Sequence, residues 1–314
     1  MSEVRLSVIV PTYNRKEILR KTLRAYRSQS SQREIVEILV VDDGSTDGTN
    51  SDAAEWSEGT VIPIRYLRQE KKGLAAARNF GIREARGGLV LFGDDDIIPG
   101  RDLVAEHLAW HKKYPDPSVC ILGHVAWSPE VDPTPFMEWL GMDGVLFGFR
   151  SLAPEKEVDF RFFYFCNTSV KIDFLRKHGT FDEDFRAYGF EDIELGYRLQ
   201  KKGARLLYNP KAVGHHYKRM SFADALDRAK QVAVARRVFE TKEAGIYLAE
   251  LERREQAKPG RQVGRMVVRC LVRALAPLEL LLDSHIRLPR HLYRAFYYYH
   301  ASKLDRRLSG IGQK

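Results

Sequence analysis

At 314 residues, 44% hydrophobic and 30% charged, the chain holds enough apolar material for one large folded unit and is too charged for a bundle of membrane-spanning helices. No run approaches the roughly 18 uninterrupted apolar residues that a spanning helix needs. The net charge of +9 is unevenly placed: residues 1–217 carry 30 Lys/Arg against 32 Asp/Glu, while 218–314 carry 21 against 10, so an anionic partner is expected for the last third alone.

The N-terminus, MSEVRLSVIVPTYN, has one Arg and runs straight into an apolar stretch without the flanks of a signal peptide, which predicts a cytoplasmic protein. RLSVIV (5–10) reads as a strand and Arg15 to Ser28 as a helix. Strand-like VEILVV (36–41) and IPIRYL (62–67) follow, then a helix from about Gly73 to Arg86 and strand-like GLVLF (88–92). A helix over Leu103–Lys113 leads to SVCILGHV (118–125). Short β-branched strands alternating with helices predict an α/β fold with a doubly wound, mostly parallel sheet. Ligands in such sheets bind beyond the carboxyl ends of the strands. Those ends carry PTYN, DDGSTDGT and GDDD, so Thr12, Asp42, Asp43 and the run Asp94–Asp96 are predicted to share one rim.

Beyond residue 125 the pattern turns irregular, and 126–157 reads as a long excursion over the cleft. Trp127 and Trp139 there suit either a sugar platform or the core. FRFFYFCNTSVK is strand-like, and GTFDEDF…GFEDIELGYRLQKKG closes the unit. Cys120, Cys166 and Cys270 are odd in number and unpaired in spacing, hence reduced packing residues.

Four clusters carry chemistry. Asp42 or Asp43, or both, would accept hydrogen bonds from a nucleoside at a strand tip; a capped turn is the structural alternative. KKGLAAARNFGI places Lys71, Lys72 and Arg78 near a helix start, a setting for a diphosphate. In LFGDDDIIPG, continuation of the strand period would face Asp94 and Asp96 together and Asp95 away. Two carboxylates on one face suit Mg²⁺ or Mn²⁺ with substrate phosphates, and Asp95 would then tolerate Ser or Ala best. In GFEDIELGYRL, Glu191 and Asp192 open a helix, while Glu194 and Arg198 read as a structural i,i+4 pair. Gly196 would leave space beside the Asp192 carboxylate, and the helix dipole would hold its pKa low. His215 and His216 follow the strand ARLLY, and imidazole is an acceptable further donor for Mn²⁺.

Read in order, PTYNR (11–15), VVDDGSTD (40–47), GLAAARNFGI (73–82), LFGDDDIIPG (91–100), FCNTSVK (165–171) and the Glu-Asp element resemble the nucleotide-sugar glycosyltransferases of the GT-A fold, specifically the inverting family 2. The resemblance covers about 5–217. It implies that Pro11, Thr12 and Tyr13 border the nucleoside, with Asp42 or Asp43 on the base. Arg78 would approach the nucleotide, and Asp94 and Asp95 would lie in the donor site. Asp94 and Asp96 match the Asp-x-Asp motif, with Asp96 the metal ligand. Asp192 matches the catalytic base, and Glu191 would hold the acceptor. VGH (213–215) is similar to the related peptide GalNAc-transferases, which implies His215 as a metal ligand. Gly93 departs from the family in replacing a bulky apolar residue. The implied cofactor is Mn²⁺ or Mg²⁺, the donor a UDP-sugar, and the acceptor a saccharide or lipid-linked hydroxyl in bacterial cell-surface polysaccharide or glycolipid synthesis. Rival readings are a metal-dependent nucleotidyltransferase, which would want a Gly-rich loop after the first strand, and a non-catalytic sugar-nucleotide-binding scaffold.

Residues 1–217 are thus expected to be the catalytic domain, with a nucleotide-sugar half (1–125) and an acceptor half (126–217), followed by a helical, basic extension (218–314). Arg261, Arg265, Arg269 and Arg273 recur every four residues opposite Val263, Met266, Val267, Cys270, Leu271 and Leu275, a basic amphipathic pattern. Pro289 is placed to start a further helix, and Tyr297–Tyr299 suits a membrane interface. The expectation is contact of 258–314 with the inner face of the membrane. The alternative is helices packed on the catalytic domain or on the partner in a homodimer. No nucleic-acid recognition module is visible.

Overall fold

The computed structural model describes residues 5–52, 56, 61–144, 146–256, 272 and 274–311. Strand β1 (Leu6–Thr12) is buried along its whole length, as befits a central strand covered on both faces. Helix α1 (Lys16–Arg27) buries Leu19, Leu23 and Tyr26, one stripe at spacings of four and three. Strands β2 (Ile35–Asp42) and β3 (Ile64–Arg68) follow, then helix α2 (Leu74–Glu84), whose Ala75–Ala77 and Gly81 lie flat on the sheet. A Cβ at Gly81 would stand 2.6 Å from Ile9 Cγ2, so the close approach of α2 to β1 requires glycine there. Strand β4 (Leu89–Gly93), the short β5 (Ile97–Pro99), helix α3 (Leu103–Lys113) and β6 (Val119–Trp127) complete the first half.

The excursion contains helix α4 (Pro135–Met142), capped by the Thr134 hydroxyl. Its Trp139 is buried against Phe136, Tyr293 and Tyr297. Trp127 instead stacks on His216, with centroids 5.0 Å apart, and donates to the Met137 carbonyl. Both indoles pack on the core around α4, Trp139 within it and Trp127 against it. Strand β7 is two residues (Glu157–Val158). Of FRFFYFCNTSVK only β8 (Asn167–Lys171) is strand; Phe160–Phe162 is a 3-10 turn, because Phe160, Phe163 and Phe165 all bury into the same core. Helices α5 (Ile172–His178) and α6 (Glu191–Lys201) precede β9 (Arg205–His216).

The strands form one sheet in the order β3-β2-β1-β4-β8-β6-β9-β5, with β7 on β9. Pairs β3-β2-β1-β4 are parallel, as is β6-β9, whereas β8 runs antiparallel to both β4 and β6. Register aligns Thr12 with Asp42, and Gly93 with Asn167, so the polar tips share an edge. Strand β5 pairs Ile97 with His216, which carries the end of β9 to the acidic turn.

Helices α7 (Phe222–Thr241), α8 (Glu243–Gln256) and α9 (Arg290–Ile311) follow. Helix α9 begins directly after Pro289, and Tyr293, Phe296 and Tyr297 on it pack with Phe136, Met137 and Trp139 of α4 in one core. Of the tyrosine cluster, Tyr297 is therefore a packing residue, while Tyr298 is 51% exposed. The amphipathic pattern from Arg261 to Arg273 lies, except for Val272, outside the described residues, as does Cys270. Among the described residues no helix is long and apolar enough to cross a membrane. Cys120 and Cys166 are buried and unpaired, and burial pushes the Cys120 thiol up to about 12.

Candidate active site

The acidic triplet starts where β4 stops. The strand ends at Gly93, and 94–96 form a turn, so the period of two does not carry through them. Gly93 faces Tyr26: a Cβ would stand 2.5 Å from its hydroxyl oxygen, so the tyrosine of α1 fills the space a bulky residue would take. The turn sends the three aspartates to different partners.

Asp94 Oδ1 accepts from Arg78 Nη2 at 3.0 Å. Asp95, expected to point away, is buried: Thr12 Oγ1 donates to its Oδ2 (2.8 Å), Arg15 Nη1 to its Oδ1 (3.0 Å), and Thr22 Oγ1 to its carbonyl (2.6 Å). The two side-chain bonds, which Ser or Ala would lose, run against the expectation that Asp95 points away and tolerates replacement best. Asp96 Oδ2 accepts from Arg15 Nη1 at 2.5 Å and lies 3.6 Å from His216 Nε2. Neighbouring buried carboxylates divide their charge. Burial would raise Asp96, but His216 and Arg15 hold it well below the usual carboxylate range; burial and the charge of Asp96 push Asp95 up, with Arg15 and Thr12 offsetting only part.

His216, not His215, is the histidine that reaches the triplet. The two alternate along β9, and only position 216 pairs with Ile97 next to Asp96. Asp96 and His216 supply one oxygen and one imidazole nitrogen, Oδ2 and Nε2, 3.6 Å apart, and Nδ1 of His216, like that of His215, is buried with no partner. Such a pair fits an ion of the Mn²⁺ or Mg²⁺ type that completes its shell with substrate phosphate oxygens. Asp94 stands apart on Arg78, and among the described residues no three His, Cys, Asp or Glu side chains cluster as a ready metal cage.

Arg78 is the junction of the site. It is fully buried on α2, and besides Asp94 its Nη1 donates to Asp192 Oδ1 (2.6 Å) and Glu191 Oε1 (3.3 Å). Burying a guanidinium is tolerable only with such carboxylate partners, and its Nε remains without one. Arg78 thus joins the first aspartate of the triplet to the Glu-Asp element.

Asp192 Oδ2 also accepts from the Phe165 amide at 3.0 Å, and Glu191 Oε2 from the Gly189 amide at 2.9 Å. The helix start is bent to aim them: Phe190 has a left-handed backbone (φ 67°) and stacks on Phe239 of α7, 4.6 Å away. A non-glycine residue in that region costs about 1 kcal/mol or more, so the stacking has a strain to offset. The low pKa expected for Asp192 from the helix dipole is not found. Burial raises it to about 7, and Glu191 beside it adds to the rise, while Arg78 offsets part. The space expected beside Gly196 is also filled, since a Cβ there would lie 2.7 Å from Phe163 and 2.8 Å from the Phe160 carbonyl. Arg198 Nε and Nη2 grip Glu194 at 2.7 and 2.8 Å, the structural pair expected.

On the other side of the rim, Asp42 is wholly buried, accepting from the Ser45 amide and the Tyr66 hydroxyl. Asp43 accepts from Gln69 Nε2 and from the amides of Lys72 and Gly73, all at 2.8 Å. Both carboxylates hold the rim loops together. Pro11 is buried beside Val41, and Tyr13 lies at the surface with Lys71 Nζ 3.9 Å over its ring. Arg15 and the choice of His216 are the features that sequence reasoning missed; the final Arg of PTYNR was the only signal for the former.

A family model described as Glycosyl transferase family 2 matches residues 7–174. Validoxylamine A glucosyltransferase of Streptomyces hygroscopicus subsp. jinggangensis is 35% identical over 221 residues, 63% of this chain and 52% of that protein. Chondroitin synthase of Escherichia coli is 26% identical over 311 residues, 86% of this chain and 44% of that one. The chain thus spans about half the length of these curated relatives. Among solved structures, a mannosyltransferase of Pyrobaculum calidifontis in complex with GDP-Man and Mn²⁺ superposes with a TM-score of 0.59 at 21% identity, covering 96% of this chain and 86% of the other. TarS of S. aureus in complex with UDP gives 0.54 at 17% identity, over 98% and 92%. These likenesses establish the GT-A α/β fold with a helical C-terminal region.

Proposed function

The chain belongs to glycosyl transferase family 2, and from that premise we propose that it is an inverting transferase that moves a sugar from a nucleoside diphosphate donor to a hydroxyl of a saccharide or lipid-linked acceptor. The carrying observation is the Arg78 junction, which ties the acidic turn at the end of β4 to Glu191 and Asp192 through bonds of 2.6–3.3 Å. A donor-side acid and an acceptor-side base held by one guanidinium is an arrangement suited to direct displacement at an anomeric carbon.

In this reading Asp192 takes the acceptor proton as the glycosidic bond forms. Its raised pKa supports the role, because a base with pKa near 7 holds a proton far better than an ordinary carboxylate. Glu191 orients the acceptor, Arg78 keeps both carboxylates fixed, and Pro11, Thr12, Tyr13, Asp42, Asp43, Asp94 and Asp95 shape the donor rim. Asp96 and His216 are the residues that would hold Mn²⁺ or Mg²⁺, which when bound neutralises charge on the departing diphosphate. A UDP-sugar is the proposed donor, with UDP in the TarS structure as support. Residues 1–217 form the proposed catalytic domain, donor half 1–125 and acceptor half 126–217, with 218–314 as its extension. In this reading the arginines of 261–273 carry the membrane contact of that extension, while Tyr297 packs inward.

Screening nucleotide sugars for thermal stabilisation in Mn²⁺, followed by chromatography of the released nucleotide, tests the reading. A UDP-sugar should raise the melting temperature and release UDP when an acceptor is added. Release of pyrophosphate would instead identify a nucleotidyltransferase, and binding without release would identify a scaffold.

A further inference from the structure

Two arginines divide the acidic triplet, and they differ in one respect. Arg78 is 2% exposed at its side chain and has nowhere to go, whereas the Arg15 side chain is 42% exposed. Arg15 Nη1 bridges Asp95 Oδ1 and Asp96 Oδ2, and the latter is the oxygen that faces His216 Nε2. A divalent ion shared by Asp96 and His216 needs that same oxygen. Cation and guanidinium repel at such range, more so in a site where the aspartates are largely out of water. The backbone around Arg15 is pinned: the Asn14 amide donates to Ser45 Oγ (2.8 Å), Asn14 Oδ1 accepts from the Thr46 amide (2.7 Å), and the Lys16 amide donates to Asp47 Oδ2 (3.0 Å). Only the side chain is free to leave, and it has solvent to enter.

Resting on the metal-dependent reading above, we propose that Arg15 is a displaceable counter-cation of the acidic turn, which holds Asp95 and Asp96 together in the metal-free enzyme and must swing off Asp96 for a divalent ion to bind. It is a positioning residue that sets metal affinity. Its guanidinium offsets the repulsion within the triplet without a metal, and the exchange makes the enzyme bind the ion weakly until a diphosphate adds its own oxygens.

Titration of the full chain with Mn²⁺ alone, with free Mn²⁺ read from its electron paramagnetic resonance signal, tests this. Arg15→Gln should bind Mn²⁺ about fivefold or more tighter than wild type, and Arg15→Lys, which keeps charge but loses the fork, about two- to threefold tighter. Asp96→Asn should remove the binding in every background. Should Arg15→Gln fail to fold, as judged by its circular dichroism melt, the Arg15→Lys comparison decides. Wild-type or weaker affinity in the folded variants overturns the proposal and leaves the metal-dependent reading intact. Absence of Mn²⁺ binding in all forms overturns the proposal, and its absence with UDP also present overturns the metal-dependent reading as well.

Discussion

Asp192 accepts hydrogen bonds at both oxygens, from Arg78 and from the Phe165 amide, and still has its pKa raised to about 7 by burial. A base works only when deprotonated, so kcat should fall as pH drops below about 7 and level off above it. A pH profile of kcat checks this, and a profile flat from pH 5.5 to 8 would remove Asp192 from the role. Asp192→Asn should lower kcat by about 10²–10⁴-fold while donor affinity stays near wild type, because general-base catalysis contributes about that much. Asp95 behaves differently. Asp95→Ala leaves Thr12 without its acceptor and Arg15 with one carboxylate fewer, and should cost about 1–3 kcal/mol of stability by urea unfolding. The residue types and spacing revealed that the triplet mattered. They did not reveal which aspartate goes where, since that depends on β4 ending at Gly93, where a tyrosine 67 residues upstream in the chain leaves no room for a side chain.

At the scale of elements, α3 carries a polar chain across the sheet that no motif announced. His107 bonds Ser169 Oγ (2.7 Å) and Asn167 Oδ1 (3.0 Å), and His111 bonds the same Ser169 Oγ at 2.8 Å. Burial lowers His107 to about 4 and His111 well below its ordinary value. With the folded pKa below the unfolded 6.5, the unfolded chain binds more protons between those values. Stability is therefore full above about pH 6.5 and declines as pH falls toward 4. For His107 alone the decline reaches roughly 3 kcal/mol. Urea midpoints at pH 7.5, 6 and 5 should show it, and His107→Asn should flatten the slope; an unchanged slope in that variant would refute the assignment. The bounds of α3 were legible from its apolar spacing, Leu103–Lys113. Its histidines were not, because two positions four apart fix a shared face without saying that the face is dry.

Across the whole molecule, the doubly wound half was legible because each strand is a short apolar run closed by turn formers, while the second half was not. Strand β8 slots antiparallel between β4 and β6 from far along the chain, and no local pattern encodes that insertion. The tail shows the same limit. Its aromatic residues read equally as a membrane face or a packing face, and only the arrival of α4 separates the two. Phe296 is wholly buried there, in one core with Phe136, Trp139 and Tyr293. If that contact holds the extension to the body, Phe296→Ala should cost about 3–5 kcal/mol and shift Trp139 fluorescence to the red as water reaches it. The same variant bears on the membrane. Vesicles of anionic lipid should bind wild type and Phe296→Ala through the arginines of 261–273 to similar extents. Loss of binding in a quadruple Arg→Gln variant at 261, 265, 269 and 273, with the melting temperature unchanged, would separate electrostatic contact from packing. Unchanged binding in that variant would take the contact away from these arginines, and no binding by wild type would leave α9 as a structural brace and remove the membrane from the account.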